Sequence, residues 1–183
     1  MTPINFKANF FKTVYIPHTT NKGISEKEVS IVELDKNDKK DIDALTEIAW
    51  KWEGCASGYA FEIYNDAKKY KPYPDVYKEH YLALTTQKSD YANLEPDKVL
   101  GLALFEEKDA VYDELAWLQA NPMTNHECKK RKYNNIGKSL VDYIKTLTYK
   151  PIVVSSDDKA IEFYEKQGFK HTGKYPSQLI YEV

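Results

Sequence analysis

The run Ile152-Val153-Val154 behind Pro151 constrains this chain most. It is short, apolar and β-branched without alternation, which describes a strand covered on both faces. Before it, Ile136, Leu140, Ile144 and Leu147 mark one face of a helix. After it, Asp157 or Ser156 offers a cap to a second helix, with Ala160, Ile161 and Tyr164 turned inward and Gly168 as its left-handed stop. A buried strand between two amphipathic helices requires a sheet with helices packed on it. The fold class is therefore α/β with a mixed sheet, and the Ile136 helix crosses over between two strands.

The upstream chain fits that frame. Val29–Leu34 alternates as a strand does, and Asp38 caps a helix whose apolar positions are Ile42, Leu45, Ile48, Ala49 and Trp52. Gly54 to Gly58 breaks it. A second helix with Ala60, Phe61, Ile63, Tyr64 and Ala67 stops before Pro72. Tyr77–Thr86, Val99–Phe105 and Ala110–Ala120 read as three strands, and Phe169–Thr172 with Gln178–Val183 as a closing hairpin. Residues 1–28 read as an arm with one edge strand near Thr13–Ile16, and residues 29–183 as a single domain.

The 183 residues are 42 % hydrophobic and 14 % aromatic, enough to build one real core. Mean hydropathy is -0.64, and no stretch approaches the length of a membrane span. Cys55 and Cys128 are too few for a disulfide framework, and no apolar leader stands at the amino end. A cytoplasmic protein with two reduced thiols is the expectation. The net charge of -2 argues against a nucleic-acid binder. Its distribution says more: His126 to Lys138 holds five Lys/Arg against one acid, while the rest carries 21 basic and 27 acidic residues. One basic loop in an acidic protein marks a local anion site.

That loop leads into Asn134-Asn135-Ile136-Gly137-Lys138-Ser139, the start of the crossover helix. A helix amino end presents unpaired N–H groups and the positive end of its dipole, and Gly137 lets a phosphate approach the backbone. Neither a Walker loop nor a dinucleotide glycine fingerprint is present. The runs Leu118-Gln119-Ala120-Asn121-Pro122, Lys132-Tyr133-Asn134-Asn135-Ile136-Gly137 and Ala160-Ile161-Glu162-Phe163-Tyr164-Glu165-Lys166-Gln167-Gly168-Phe169 resemble the GNAT family of N-acetyltransferases. The last run matches that family's Ala-x-x-Phe-Tyr-x-x-x-Gly-Phe helix in full. In the loop pattern Gln/Arg-x-x-Gly-x-Gly/Ala, Lys132 stands at the first position and Asn135 replaces the first glycine.

The resemblance implies the GNAT acyl-CoA N-acyltransferase fold, a central mixed β-sheet flanked by helices. It also implies transfer of acetyl from acetyl-CoA directly to a primary amine of a small molecule or protein, with no metal. The cofactor would lie between the Ala110–Ala120 and Pro151–Val154 strands. Leu118 and Ala120 would pair with the pantetheine arm, and the backbone from Lys132, Tyr133, Asn134, Asn135, Ile136 and Gly137 into Lys138 and Ser139 would take the pyrophosphate. Asp157 would sit beside the thioester, and Tyr164 would protonate the leaving thiolate. Strand alternation puts Glu114, Ala116, Leu118 and Ala120 on one face, which makes Glu114 the candidate base. A homodimer is the assembly such families suggest. The alternative reading is a catalytically degenerate acyl-CoA sensor or a protein-interaction module.

His126-Glu127-Cys128 is set aside as a metal cluster, because adjacent loop residues rarely converge on one ion. The tyrosines at 59, 64, 70, 73, 77 and 81, with Trp50, Trp52 and Glu62, surround the segment that walls the acceptor pocket in GNAT folds. Ring faces and a carboxylate suit a cationic amine.

Overall fold

The computed structural model describes residues 8–53, 58–69, 77–108, 111–125 and 131–183. Cys55, Cys128 and the His126-Glu127-Cys128 run lie outside them. Eight strands form one sheet in the order β1-β2-β3-β4-β5-β6-β8-β7. They are β1 Asn9–Thr20, β2 Gly23–Leu34, β3 Lys78–Thr85, β4 Val99–Glu107, β5 Asp113–Ala120, β6 Ile152–Ser155, β7 Lys170–His171 and β8 Gln178–Tyr181. Neighbours run antiparallel except β5 and β6, which are parallel. The helices are α1 Lys39–Glu53, α2 Tyr59–Lys68, α3 Pro122–Asn125, α4 Ile136–Ile144 and α5 Ile161–Lys166. The chain from β5 to β6 runs through α3 and α4, so α4 is the expected crossover helix.

Alternating strand residues sort into two cores. On one face Val32, Leu34, Ala83, Leu102 and Leu104 meet Leu45, Ile48 and Trp52 of α1 and Ile63 of α2. On the other Ile31, Leu82, Ala103, Phe105 and Leu115 meet Leu140 and Ile144 of α4 and Tyr164 of α5. Asp38 caps α1 as its sequence position predicts, its Oδ1 accepting the Lys40 N–H at 2.7 Å. Gly101 is where α4 comes closest to the sheet. A Cβ there would lie 2.5 Å from Ile136 Cγ2, so only glycine permits that approach.

The edge strand expected near Thr13–Ile16 in the arm is present and longer, as β1. From residue 9 onward the arm belongs to the sheet: β1 pairs with β2 along almost its whole length, through a tight turn at Asn21-Lys22. Gly23 takes φ +121 to close that turn. Pro17 sits inside β1, a position proline tolerates because β1 is the sheet edge.

Candidate functional site

The strands β5 and β6 pair only through Asp113↔Ile152 and Glu114↔Val153. Asp113 pins that junction: its carboxylate accepts the Lys108 N–H at 2.7 Å, the Lys150 ammonium at 3.0 Å and the Thr148 hydroxyl. Beyond it the strands part. A cleft of about 410 Å³ opens there, lined by Leu118 and Ala120 of β5, Arg131, the segment Asn134–Lys138, and Ala160, Phe163, Tyr164, Lys166 and Gln167 near or on α5.

The loop that leads into α4 is braced from a distance. The far end of β1 reaches it: the Thr19 N–H bonds the Lys132 carbonyl at 2.9 Å, and the Asn134 N–H bonds the Pro17 carbonyl at 2.9 Å. The His18 and Tyr133 rings stack with centroids 4.7 Å apart. Asn135 then turns left-handed at φ 62, a conformation asparagine accepts better than most residues. Asn135 therefore makes a left-handed turn of the kind glycine most often supplies. Inside α4 the Ser139 N–H is taken by the Asn135 carbonyl at 2.9 Å, while Ile136, Gly137 and Lys138 have no intrahelical acceptor. Those three amides face the cleft end of the helix. Arg131 has no ion-pair partner among the described residues, whereas Lys138 and Lys166 pair with Asp142 and Glu162 on their own helices.

These contacts narrow the expected anion set. Asn134, Asn135, Ile136, Gly137 and Lys138 line the cleft with Leu118, Ala120 and Tyr164. The amides of Lys132 and Asn134 are spent inside the protein, on the Thr124 and Pro17 carbonyls. Tyr133 is buried against His18, and Ser139 is held in the first helical turn. Arg131, Phe163, Lys166 and Gln167 join the lining instead. Arg131 was legible as part of the basic run, and the others follow from α5 facing α4.

Glu114 is placed against the alternation argument. The register of β4 with β5 shifts between Leu104 and Phe105, which oppose Trp117 and Leu115, so Ala116 is an extra residue. Both Ala116 and Trp117 then pack on the α1/α2 face, while Leu115 and Leu118 pack on the other. Glu114 consequently lies on the face opposite Leu118 and Ala120, and it does not line the cleft. Its carboxylate pairs with Lys108, which also pairs with Glu106 at 3.1 Å. Nearby, carboxylate oxygens of Asp66, Glu79 and Glu106 lie within 4.8 Å of one another. Tyr81 donates its hydroxyl toward Asp66 and Glu79 at 3.0 Å each, and Lys36 pairs with Glu79 at 3.1 Å.

At the open end of the splay, the two helix layers meet. Tyr164 of α5 is buried between the rings of Phe163 and Phe169. Burial pushes its hydroxyl well above the ordinary phenol value, and Tyr59 and Asp157 push it further. Asp157 does not cap the following turn with its side chain; only its carbonyl does, accepting the Ala160 N–H at 2.8 Å. The carboxylate accepts the hydroxyl of Tyr59 instead, across from the start of α2. Burial and then Asp157 push Tyr59 up to about 12. Its ring stacks on Trp117 at 5.3 Å, and the neighbouring Ala60 N–H bonds Gln119 Oε1 at 2.6 Å.

No helix is long and apolar enough to cross a membrane among the described residues. No family profile and no curated protein sequence matches the chain. Solved structures do. A tandem GNAT protein from the clavulanic acid biosynthesis pathway aligns at TM-score 0.50 and 13 % identity, over 79 % of this chain and 44 % of its own, so this chain spans less than half of that protein. A protein of Desulfovibrio desulfuricans assigned to the GNAT acetyltransferases aligns at TM-score 0.49 and 15 % identity, covering 84 % of this chain and 96 % of that one. A Klebsiella pneumoniae protein assigned as an acyl-CoA N-acyltransferase gives 0.46 and 12 %, covering 83 % and 94 %. With its mixed eight-stranded sheet flanked by helices and parted between β5 and β6, the chain has the GNAT acyl-CoA N-acyltransferase fold.

Proposed function

We propose that the protein is an N-acetyltransferase that moves acetyl from acetyl-CoA directly to a primary amine. The observation that carries this reading is the parting of β5 from β6 beneath the open amino end of α4. The residues present fit the cofactor. An extended pantetheine arm suits the edge of β5 at Leu118 and Ala120, where backbone groups lack a β6 partner. A pyrophosphate suits the amides of Ile136, Gly137 and Lys138, the dipole of α4 and Arg131, which has no ion-pair partner among the described residues. The bound cofactor supplies an activated acyl carbonyl and a thiolate leaving group.

The protein's own part is to orient and to move protons. Tyr164, kept protonated by its burial, is the donor for the departing sulfur. The cleft walls, Phe163 on α5 and Leu118 on β5, exclude water from the thioester. Calorimetric titration with acetyl-CoA, CoA and ATP tests the reading. Micromolar binding of the first two and none of ATP is expected, and no binding of acetyl-CoA or CoA defeats it.

A further inference from the structure

The chemistry needs an acceptor for the proton that leaves the amine, and Glu114 sits elsewhere, paired with Lys108. The open end of the splay offers another carboxylate. We infer that Asp157, held by Tyr59, is the proton acceptor for the incoming amine. This rests on the acetyl-transfer reading above and adds to it a residue pair and a side of approach.

Three features place the pair there. Asp157 follows β6 at the open end of the β5–β6 splay; it does not itself line the cleft, but its charge acts on Tyr164, which does. Tyr59 is the first residue of α2, on the opposite layer from Tyr164, and its hydroxyl bonds the Asp157 carboxylate 98 residues away in sequence. The start of α2 is itself fixed twice, by the Tyr59–Trp117 stack at 5.3 Å and by the Ala60 bond to buried Gln119. Asp157 is exposed, so an amine can reach its carboxylate from solvent. The carboxylate and the two stacked rings together favour a protonated amine as the species that arrives. Gln119 Nε2, on the same face of β5, is buried with no acceptor among the described residues.

The step balances without a further reagent. Asp157 takes one proton from the ammonium and yields it to solvent, leaving a free lone pair on nitrogen. The nitrogen attacks the thioester carbon and a C–N bond forms. As the C–S bond breaks, Tyr164 gives its proton to sulfur. The second proton shed by nitrogen leaves through Asp157 to solvent, and Tyr164 regains its proton from solvent. Products are the amide, the free thiol and one proton.

The test compares two amines in a thiol-release assay at pH 7: ethylamine, which is mostly protonated, and hydroxylamine, which is mostly neutral. Asp157→Asn is expected to lower kcat about 100-fold with ethylamine and only a few-fold with hydroxylamine, at unchanged acetyl-CoA affinity. Tyr59→Phe keeps the ring on Trp117 and is expected to cost about 10-fold with ethylamine, the effect of one lost hydrogen bond. Full turnover of Asp157→Asn with ethylamine overturns the assignment, and so does an equal loss with both amines. Wild-type protein that binds acetyl-CoA but transfers to neither amine overturns it too. Failure to bind acetyl-CoA is a different result, because it removes the function itself.

Discussion

Gly137 separates packing from charge at the centre of the proposed anion site. An alanine Cβ there would lie 3.0 Å from Phe163 Cζ and 3.7 Å from Leu118 Cδ2, so the Phe163 ring must give by a few tenths of an ångström. That overpacking costs about 1 kcal/mol or slightly more, and it is offset by the roughly 1 kcal/mol that alanine gains over glycine in a helix. Gly137→Ala should therefore fold normally and bind acetyl-CoA within about 5-fold of wild type. An aspartate adds a charge whose sign suits the helix, since a first-turn acid stabilises by about 0.3–1 kcal/mol. The same charge opposes the pyrophosphate. At about 4 Å, two like charges repel by about 1 kcal/mol in water and about 4 kcal/mol near a protein surface, which is about 5-fold to about 1000-fold in affinity. Calorimetry with acetyl-CoA, and with acetyl-pantetheine as a ligand lacking the pyrophosphate, reads the difference. Gly137→Asp should lose acetyl-CoA and keep acetyl-pantetheine. Equal losses for both ligands, or none, would refute the placement of the anion on α4.

Gly101→Ala should destabilise by about 1–3 kcal/mol in urea unfolding, because its Cβ would meet Ile136 Cγ2 at 2.5 Å, and adding Ile136→Ala should recover part of the loss. Tyr164→Phe should lower turnover by about 100-fold with acetyl-CoA affinity unchanged, and a fully active variant would end the proton-donor role. Glu114→Gln should stay within a few-fold of wild-type turnover; a loss comparable to that of Tyr164→Phe would return the base to β5. Burial disfavours the charge on His80, yet hydrogen bonds to Glu33 at 2.8 Å and Glu107 at 2.7 Å more than offset it, and its value is raised. A raised folded value means this contribution is fully present below the ordinary histidine value of about 6.5 and is lost as pH rises through the folded value. Thermal unfolding should show stability falling as pH rises above about 6.5, a decline that His80→Gln removes.

The elements that sequence pattern reveals are those whose covering is local. The faces of α1, α2 and α4 carry helical periodicity, and the apolar run at 152–154 is a strand because nothing in it can face water. The start of the crossover helix was legible for a similar reason, since glycine and asparagine at fixed positions record backbone geometry directly. What failed was set by distant partners. β1 is largely exposed and contains Pro17, so beyond Thr13–Ile16 its pattern resembles an arm until β2 pairs with it. The bulge at Ala116 is invisible in Leu115-Ala116-Trp117-Leu118, where every residue is apolar and any of them suits either face. The Tyr59–Asp157 bond joins two elements 98 residues apart, and no local spacing announces it.

In the proposed reaction that bulge gives β5 two functional sides. Unbroken alternation would put Leu118 and Ala120 on the same face as Glu114, and would leave the strand with one functional side at the splay. The extra residue reverses the phase between Leu115 and Leu118. Leu118 and Ala120 then line the cleft under α4 and α5, while Trp117 and Gln119 turn to the start of α2 and hold Tyr59 in place. In the proposed transfer the donor and the acceptor approach from opposite layers of the sheet and meet where β5 and β6 have parted. Direct transfer between them needs no movement of the acyl group from one site to another, only a gap in the sheet. The Asp113 junction keeps that gap closed at one end.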